Sequence, residues 1–319
     1  MILIKSNTED YSTTQVVKWL KHYGADFLRL NGTTFLKDLK ITNDSISFSH
    51  KDTTVILSDV AKYWYRRGRW DTFQRKNLHQ VPDKTFHRYL DYFNKQAERD
   101  VINTIETTLA SKSLNRYQTS SNINKLAVLK ACEDLEITTP DTLVTNTKSI
   151  LHAFVLKHTE VITKAVNNLD PHIKGEVFAD VMTKKITLET LSQLPERFNV
   201  SMFQNLVEKK FEIRTFFFVD TFYSMAIFSQ NDDKTKVDFR NYNMESPNRC
   251  VPYQLPKALE TKLKKLLDKF DLNSASLDII YTSDDAYSFL EINPIGQYDM
   301  TSKPCNYFLD EVIAKYLSS

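Results

Sequence analysis

Apolar positions change spacing several times along the chain, and each change marks an element. Residues 2–4 are continuously apolar, 13–23 form an amphipathic stretch, and 27–30 and 45–49 return to strand-like patterns, which predicts a small α/β lobe. Residues 73–110 are polar and rich in aromatics, and read as a helix ending near Ser111. The polar, largely uncharged run 111–124 is the first boundary, and Leu126, Leu129, Ala131 and Cys132 place a helix after Asn124. A β-type run with Pro140 ahead of residues 143–145 follows, then residues 149–156, whose last part, 154–156, reads as a strand ending at Lys157. A mixed helical region is expected from there to about Glu196.

From Met202 the pattern becomes that of strands: 211–219 and 222–228 are dense in aromatic and β-branched residues, with Asp220 and Thr221 as the turn between them. Pro256 opens a helix whose Leu259, Leu263, Leu266, Leu267 and Phe270 make one apolar face, its lysines being the solvated side. Residues 276–281 and 287–292 then form a hairpin around Ser283, Asp284, Asp285 and Ala286. The reading is an α/β (α+β) chain of three lobes, residues 1–118, 119–200 and 201–319.

Composition narrows the function classes. The 319 residues suit two domains or one multi-lobed enzyme, and 41% hydrophobic with 26% charged residues describes an ordinary globular protein. Lysine plus arginine number 42 against 40 acidic residues, too balanced for a nucleic-acid or membrane-surface binder. Five widely spaced glycines exclude GxGxxG, the Walker A loop and GxSxG. Three scattered cysteines and seven histidines offer neither a CxxC pair nor HExxH. No signal-peptide pattern and no apolar run of membrane-spanning length occurs, so a cytoplasmic location is expected.

The candidate chemistry lies in the last hairpin. If Thr282 faces Tyr287, Asp278 falls opposite Glu291, and Asn293 shares the face of Glu291. Pro294 ends the ladder and leaves Asn293 at the strand end. Opposed like charges need a cation between them, and hard oxygen donors favour Mg²⁺ bridged to phosphates. Glu212 and Arg214 share one face of an otherwise aromatic strand, where charges need solvent or a partner. Arg66 and Arg67, beside Trp64, Tyr65, Arg69 and Trp70, form the densest basic–aromatic cluster, which fits either carboxylate binding or stacking for stability.

These residues carry a family resemblance. Asp278 followed by Glu291-Ile292-Asn293-Pro294 resembles the metal-binding end of ATP-grasp carboxylate–amine ligases. The extended form, FLEINPIGQYDM with CNYFLDEVIAKYL after it, resembles the graspetide synthetases, the microviridin-type peptide macrocyclases, and above all the grasp-with-spasm maturases. MILI, WYRRG, NKL, PDTLVTN, VLK, FQ with EIR, DFR and LP extend the resemblance almost end to end. It implies an ATP-grasp fold with an N-terminal pre-ATP-grasp lobe, and ATP and Mg²⁺ as cofactors. It assigns Lys157 to the phosphates, Gln204, Asn205, Leu206 and Val207 to the adenine hinge, and Glu212 to the ribose. Asp278, Glu291 and Asn293 become the metal ligands, Arg214 and Arg240 the catalytic arginines, and Arg66 and Arg67 the grip on an acidic core peptide. Lys209 and Lys210 are further phosphate candidates between which the sequence does not choose.

The implied reaction activates Asp or Glu side chains of a ribosomal precursor peptide as acyl phosphates and joins them to Ser or Thr hydroxyls or to Lys amines. A leader segment on that precursor would dock on the hairpin 211–228 or on the region 157–200. A ligase that adds an amino acid to a peptide, and an inactive leader-binding module, are the alternatives, and a homodimer is among the open assembly states. The scarcity of glycine departs from the wider ATP-grasp pattern, since only Gly175 lies between Lys157 and Gln204.

Overall fold

The computed structural model describes all residues except 73–83, 122, 159, 167–182, 231, 233–234, 236–238, 240–242, 244 and 246. Strand β1 (Ile2–Ser6) is buried along its whole length and leads into α1 (Tyr11–His22), which starts where the Asp10 carboxylate accepts from the Thr13 N–H. Then come β2 (Phe27–Asn31), β3 (Thr33–Phe35), β4 (Lys37–Ile41), β5 (Ile46–His50), β6 (Thr53–Ile56), β7 (Lys62–Tyr65) and β8 (Arg69–Asp71). Helix α2 (Lys84–Leu109), β9 (Ser113–Leu114) and α3 (Tyr117–Ser121) complete the lobe. Its main sheet is parallel, in the order β2-β1-β7-β9. A parallel strand covered on both faces needs apolar residues throughout, which explains the unbroken run in β1. Ile2 and Ile4 face one core and Leu3 the other, with α2 on that second side.

Asn124 caps α4 (Lys125–Asp134), as the sequence pattern predicts. The central lobe then runs β10 (Thr142–Thr147), α5 (Lys148–Lys157), β11 (Val161–Lys164), β12 (Lys184–Ile186), α6 (Leu188–Gln193) and β13 (Arg197–Asn205). Its antiparallel sheet has the order β10-β13-β11-β12. Two expectations are corrected here. Residues 154–156 belong to α5, because Leu151, Phe154 and Val155 lie at helical spacing and pack together on the sheet. The region expected to be helical up to Glu196 contains β11 and β12, whose short runs of β-branched and lysine residues are easily passed over.

The C-terminal lobe is a five-stranded antiparallel sheet in the order β16-β15-β14-β17-β18, formed by β14 (Lys209–Phe218), β15 (Thr221–Phe228), β16 (Arg249–Tyr253), β17 (Ser274–Thr282) and β18 (Tyr287–Asn293). Helix α7 (Lys257–Lys269) and α4 cover one face through Leu263, Leu266, Leu267, Val128 and Cys132. Helices α8 (Asp299–Cys305) and α9 (Leu309–Ser318) follow β18. Phe216 and Phe218 of β14 share a core with Tyr298, with Leu309 and Ile313 of α9, and with Ile2, Val16 and Trp64 from the other end of the chain. Among the described residues no helix is long and apolar enough to cross a membrane.

Candidate active site

The two antiparallel sheets meet at one cleft, and strand alternation decides what faces it. In β11, Val161 packs on the helices of the central lobe, so Ile162 and Lys164 turn to the cleft. In β13, Phe203 packs inward and Gln204 turns to the cleft. In β14, Ile213 and Phe217 feed the core beneath α7, which puts Glu212 and Arg214 on the opposite face. Gln204 and Asn205, which end β13, and Leu206 and Val207, which lead from it to β14, line the cleft as its back.

Asp278 of β17 and Glu291 of β18 are direct partners in the ladder, as the sequence register requires. The register is reached differently, however. Tyr281, not Thr282, faces Tyr287, and a bulge between Asp278 and Ile279 restores the pairing. Leu290 is the extra residue, and it lines the cleft beside Glu291. Arg214 Nη1 donates to both oxygens of Asp278 at 2.6 Å, and Lys125 Nζ lies 3.1 Å from Glu291 Oε2. Asn293 Nδ2 donates to Asp278 Oδ2 at 2.9 Å and lies 3.5 Å from Glu291 Oε1. Both carboxylate side chains are only 15% exposed. One carboxamide thus touches both carboxylates, and rotating it by a half-turn would present a third oxygen to the same point.

This donor set fits Mg²⁺. The ion uses one or two carboxylates and completes its shell with water and phosphate oxygens. Arg214 and Lys125 already balance the two carboxylates, so a divalent ion added here is best accompanied by an anion such as a triphosphate. Glu212 is buried, forms an ion pair with Lys209, and accepts from Ser229 Oγ at 3.0 Å.

No protein-family model and no curated protein matches the chain. Solved structures do. The macrocyclase MdnC of Microcystis aeruginosa MRC, bound with precursor peptide MdnA, is similar over 99% of both chains at 25% identity, with a TM-score of 0.75. A RiPP-associated ATP-grasp ligase of Chryseobacterium gregarium, in complex with ADP and a leader and core peptide, is 22% identical over 99% of this chain and 95% of its own, with a TM-score of 0.79. The ATP-grasp ligase PsnB, complexed with minimal precursor, Mg and ADP, gives 15% identity over 99% and 96%, with a TM-score of 0.67. The chain has the ATP-grasp fold of these peptide ligases. The similarity to MdnC runs over 99% of the chain, residues of the N-terminal sheet included.

The ATP-grasp cleft gathers Gln204, Asn205, Leu206, Val207, Glu212, Asp278 and Glu291 in its lining, with Arg214 and Asn293 bonded to Asp278. It does not gather Lys157. That lysine ends α5 on the surface, 67% exposed, and pairs with Asp141 at 3.0 Å. Two lysines line the cleft among the described residues, Lys164, one strand later, and Lys209. The signal of Lys164 was the alternation Val161, Ile162, Thr163, Lys164, an apolar strand face followed by a cation on the other face. Lys125 was missed because its contact to Glu291 joins residues far apart in sequence. Lys209 is buried against Glu212, whereas Lys210 pairs with Asp285 at the surface.

Arg66 is 3% exposed and donates to the carbonyls of Ile295 and Gly296, so it lacks the accessible guanidinium expected of a peptide grip. Arg67 is 38% exposed and lies 3.8 Å from Asp10; both arginines line a separate depression between the N-terminal lobe and α8. Arg240 lies outside the described residues, although neighbouring Phe239 lines the cleft. The hairpin offered for leader docking is interior to its sheet, since β14 pairs with β17 and β15 with β16, leaving no free edge for strand addition. The alternative region includes residues 167–182, outside the described set.

Proposed function

We propose that this protein is an ATP-dependent, ADP-forming peptide macrocyclase that activates Asp or Glu side chains of a ribosomal precursor peptide and joins them to Ser, Thr or Lys side chains. The observation that carries this reading is the convergence of Lys164 from one sheet and Asp278, Glu291 and Asn293 from the other on a single cleft. The precursor peptides bound by the similar ligases support the substrate class.

In the first step a substrate carboxylate oxygen bonds to the γ-phosphorus of ATP, the bond to the β-phosphate oxygen breaks, and ADP leaves. In the second, a hydroxyl or amine attacks the acyl carbon, phosphate departs, and the nucleophile loses its proton. Mg²⁺ held by Asp278, Glu291 and Asn293 would supply neutralisation of phosphate charge. Lys164 is set to bind phosphate oxygens from the opposite wall, and Glu212 to accept from ribose hydroxyls. Arg214, fixed by Asp278, places a permanent cation beside the transferred group. Arg67, partly exposed in the depression beside α8, offers a cation to the acidic peptide there.

The test is mass spectrometry of a precursor peptide encoded beside the gene, incubated with protein, ATP and Mg²⁺. Loss of one water mass per bond, dependent on ATP, is the expected result. A mass gain would identify an amino-acid ligase instead, and an unchanged peptide that still binds would favour a binding module. Glu291→Gln should lower turnover by at least about a hundredfold, the upper end of what even outer-shell metal-site changes cost. Undiminished turnover would remove Glu291 from the metal site.

A further inference from the structure

The chain immediately after the metal strand is held by its carbonyl groups. Asn293 O accepts from Gly296 N at 3.0 Å, closing a turn with Pro294 at its second position. The next four carbonyls are each bonded by a side chain. Asn115 Nδ2 donates to Pro294 O at 2.9 Å, Arg66 Nη1 donates to Ile295 O and, at 3.0 Å, to Gly296 O, and Ser276 Oγ donates to Gln297 O at 2.9 Å. Ser276 belongs to β17, but Arg66 and Asn115 come from the N-terminal lobe. Both are 3% exposed.

Each of the two is itself held in place. The Arg66 guanidinium lies 5.6 Å from the ring centres of both Trp64 and Tyr298 and pairs with Asp10 at 3.7 Å. Asn115 sits at φ +58°, its own N–H donates to Asn273 Oδ1 at 2.9 Å, and Asn273 Nδ2 returns a bond to Ser113 O at 2.7 Å. The Arg66 Nη1 is used on backbone carbonyls, and a full charge on two neutral acceptors is a strong restraint.

We propose that Arg66 and Asn115 are positioning residues for the metal site: the N-terminal lobe grips the turn 294–296 and thereby fixes Asn293 and Glu291 at the cleft. This assignment rests on the ligase reading above, because it gives those side chains a metal to hold. It moves Arg66 from peptide recognition to the support of the cleft, and makes the N-terminal lobe part of the metal site.

The test uses Mn²⁺, an oxygen-seeking ion detectable by electron paramagnetic resonance, titrated into full-length protein with ADP present. Two mild variants keep the fold. Arg66→Lys retains charge but cannot reach both carbonyls from one planar group, and Asn115→Gly keeps the left-handed backbone and the N–H bond to Asn273 while removing the amide. Each should weaken Mn²⁺ binding by roughly tenfold, within the range for outer-shell changes at metal sites. Binding of ADP without metal, measured well below the melting temperature of each variant, should stay close to wild type, and added guanidinium should partly restore Mn²⁺ binding to Arg66→Ala. Unchanged Mn²⁺ affinity in both mild variants, with wild type binding normally, would overturn the clamp alone. Absence of Mn²⁺ binding by wild type would overturn the ligase reading, and the clamp with it.

Discussion

At the scale of single residues, the cleft shows how burial changes the meaning of a charge. Asp278 is paired with Arg214 and touched by Asn293, Glu291 with Lys125, and Glu212 with Lys209. Buried charges are tolerated only with such partners, so removing one partner costs more than the pair contributes. Lys164 and Lys157 separate the two ways of reading a lysine after an apolar run. Lys164→Ala should raise the KM for ATP by about tenfold or more, the equivalent of one charge-assisted hydrogen bond. Lys157→Ala removes an exposed pair with Asp141 and should change that KM several times less. Steady-state kinetics on both variants would settle which lysine serves the nucleotide, and the reverse order would return the role to Lys157.

Among elements, β18 is the most informative. Phe289 and Ile292 are both in the core, three residues apart, while Glu291 and Asn293 face the cleft. A regular strand cannot satisfy both sets, because Phe289 and Glu291 would then share a face. The bulge at Leu290 resolves the conflict and lets one short strand serve a core and a cleft. The turn after it depends on Gly296, at φ +62°, where an added Cβ would sit 3.0 Å from a Phe216 ring atom. Gly296→Ala should destabilise the protein by about 1–2 kcal/mol, the cost of the left-handed conformation for a residue with a side chain. Urea denaturation would measure it, and a neutral result would mean that the turn relaxes.

For the whole molecule, the two ends of the sequence share a core: Ile2, Ile4 and Trp64 pack with Phe216, Phe218, Tyr298 and Leu309. The N-terminal lobe also contains a buried cation, since Lys5 is fully buried and donates to Gly32 O. Desolvation pushes its pKa down from 10.5 to about 8, against the opposing pull of Glu106. Below the folded value the amine is protonated in both states, and folding has to bury that charge. Between about pH 8 and 10.5 the unfolded chain keeps a proton that the folded chain has released, so stability from this group rises with pH across that window. Chemical denaturation over this range should show the rise in wild type and its loss in Lys5→Met; parallel profiles would mean that Lys5 keeps its ordinary pKa. Mg²⁺ with ADP, binding only the folded cleft, should add about 2.7 kcal/mol at a hundredfold excess over Kd.

The sequence by itself determined the order of most elements and the α/β class, and placed Asp278 opposite Glu291 from a register one residue off, which the bulge at Leu290 makes good. It could do so because alternation, helical spacing and the Asn-Pro strand end are local signals, read within a few residues. It also carried the resemblance that named the ATP-grasp fold, through motifs such as FLEINPIGQYDM. It misread the three-residue apolar run before Lys157 as a strand, since so short a run satisfies a helix and a strand equally, and it did not show the bulge at Leu290, which appears only when both cores are known. Only the tertiary structure decided that Arg66 is buried against the carbonyls of Ile295 and Gly296, that Lys125 reaches Glu291, and that Lys164 faces the cleft from the opposite sheet. The physical reason is common to all three. A charged side chain has no intrinsic role in the sequence; what it does is set by which partners the packing of distant strands brings within a few ångströms and by whether water still reaches it.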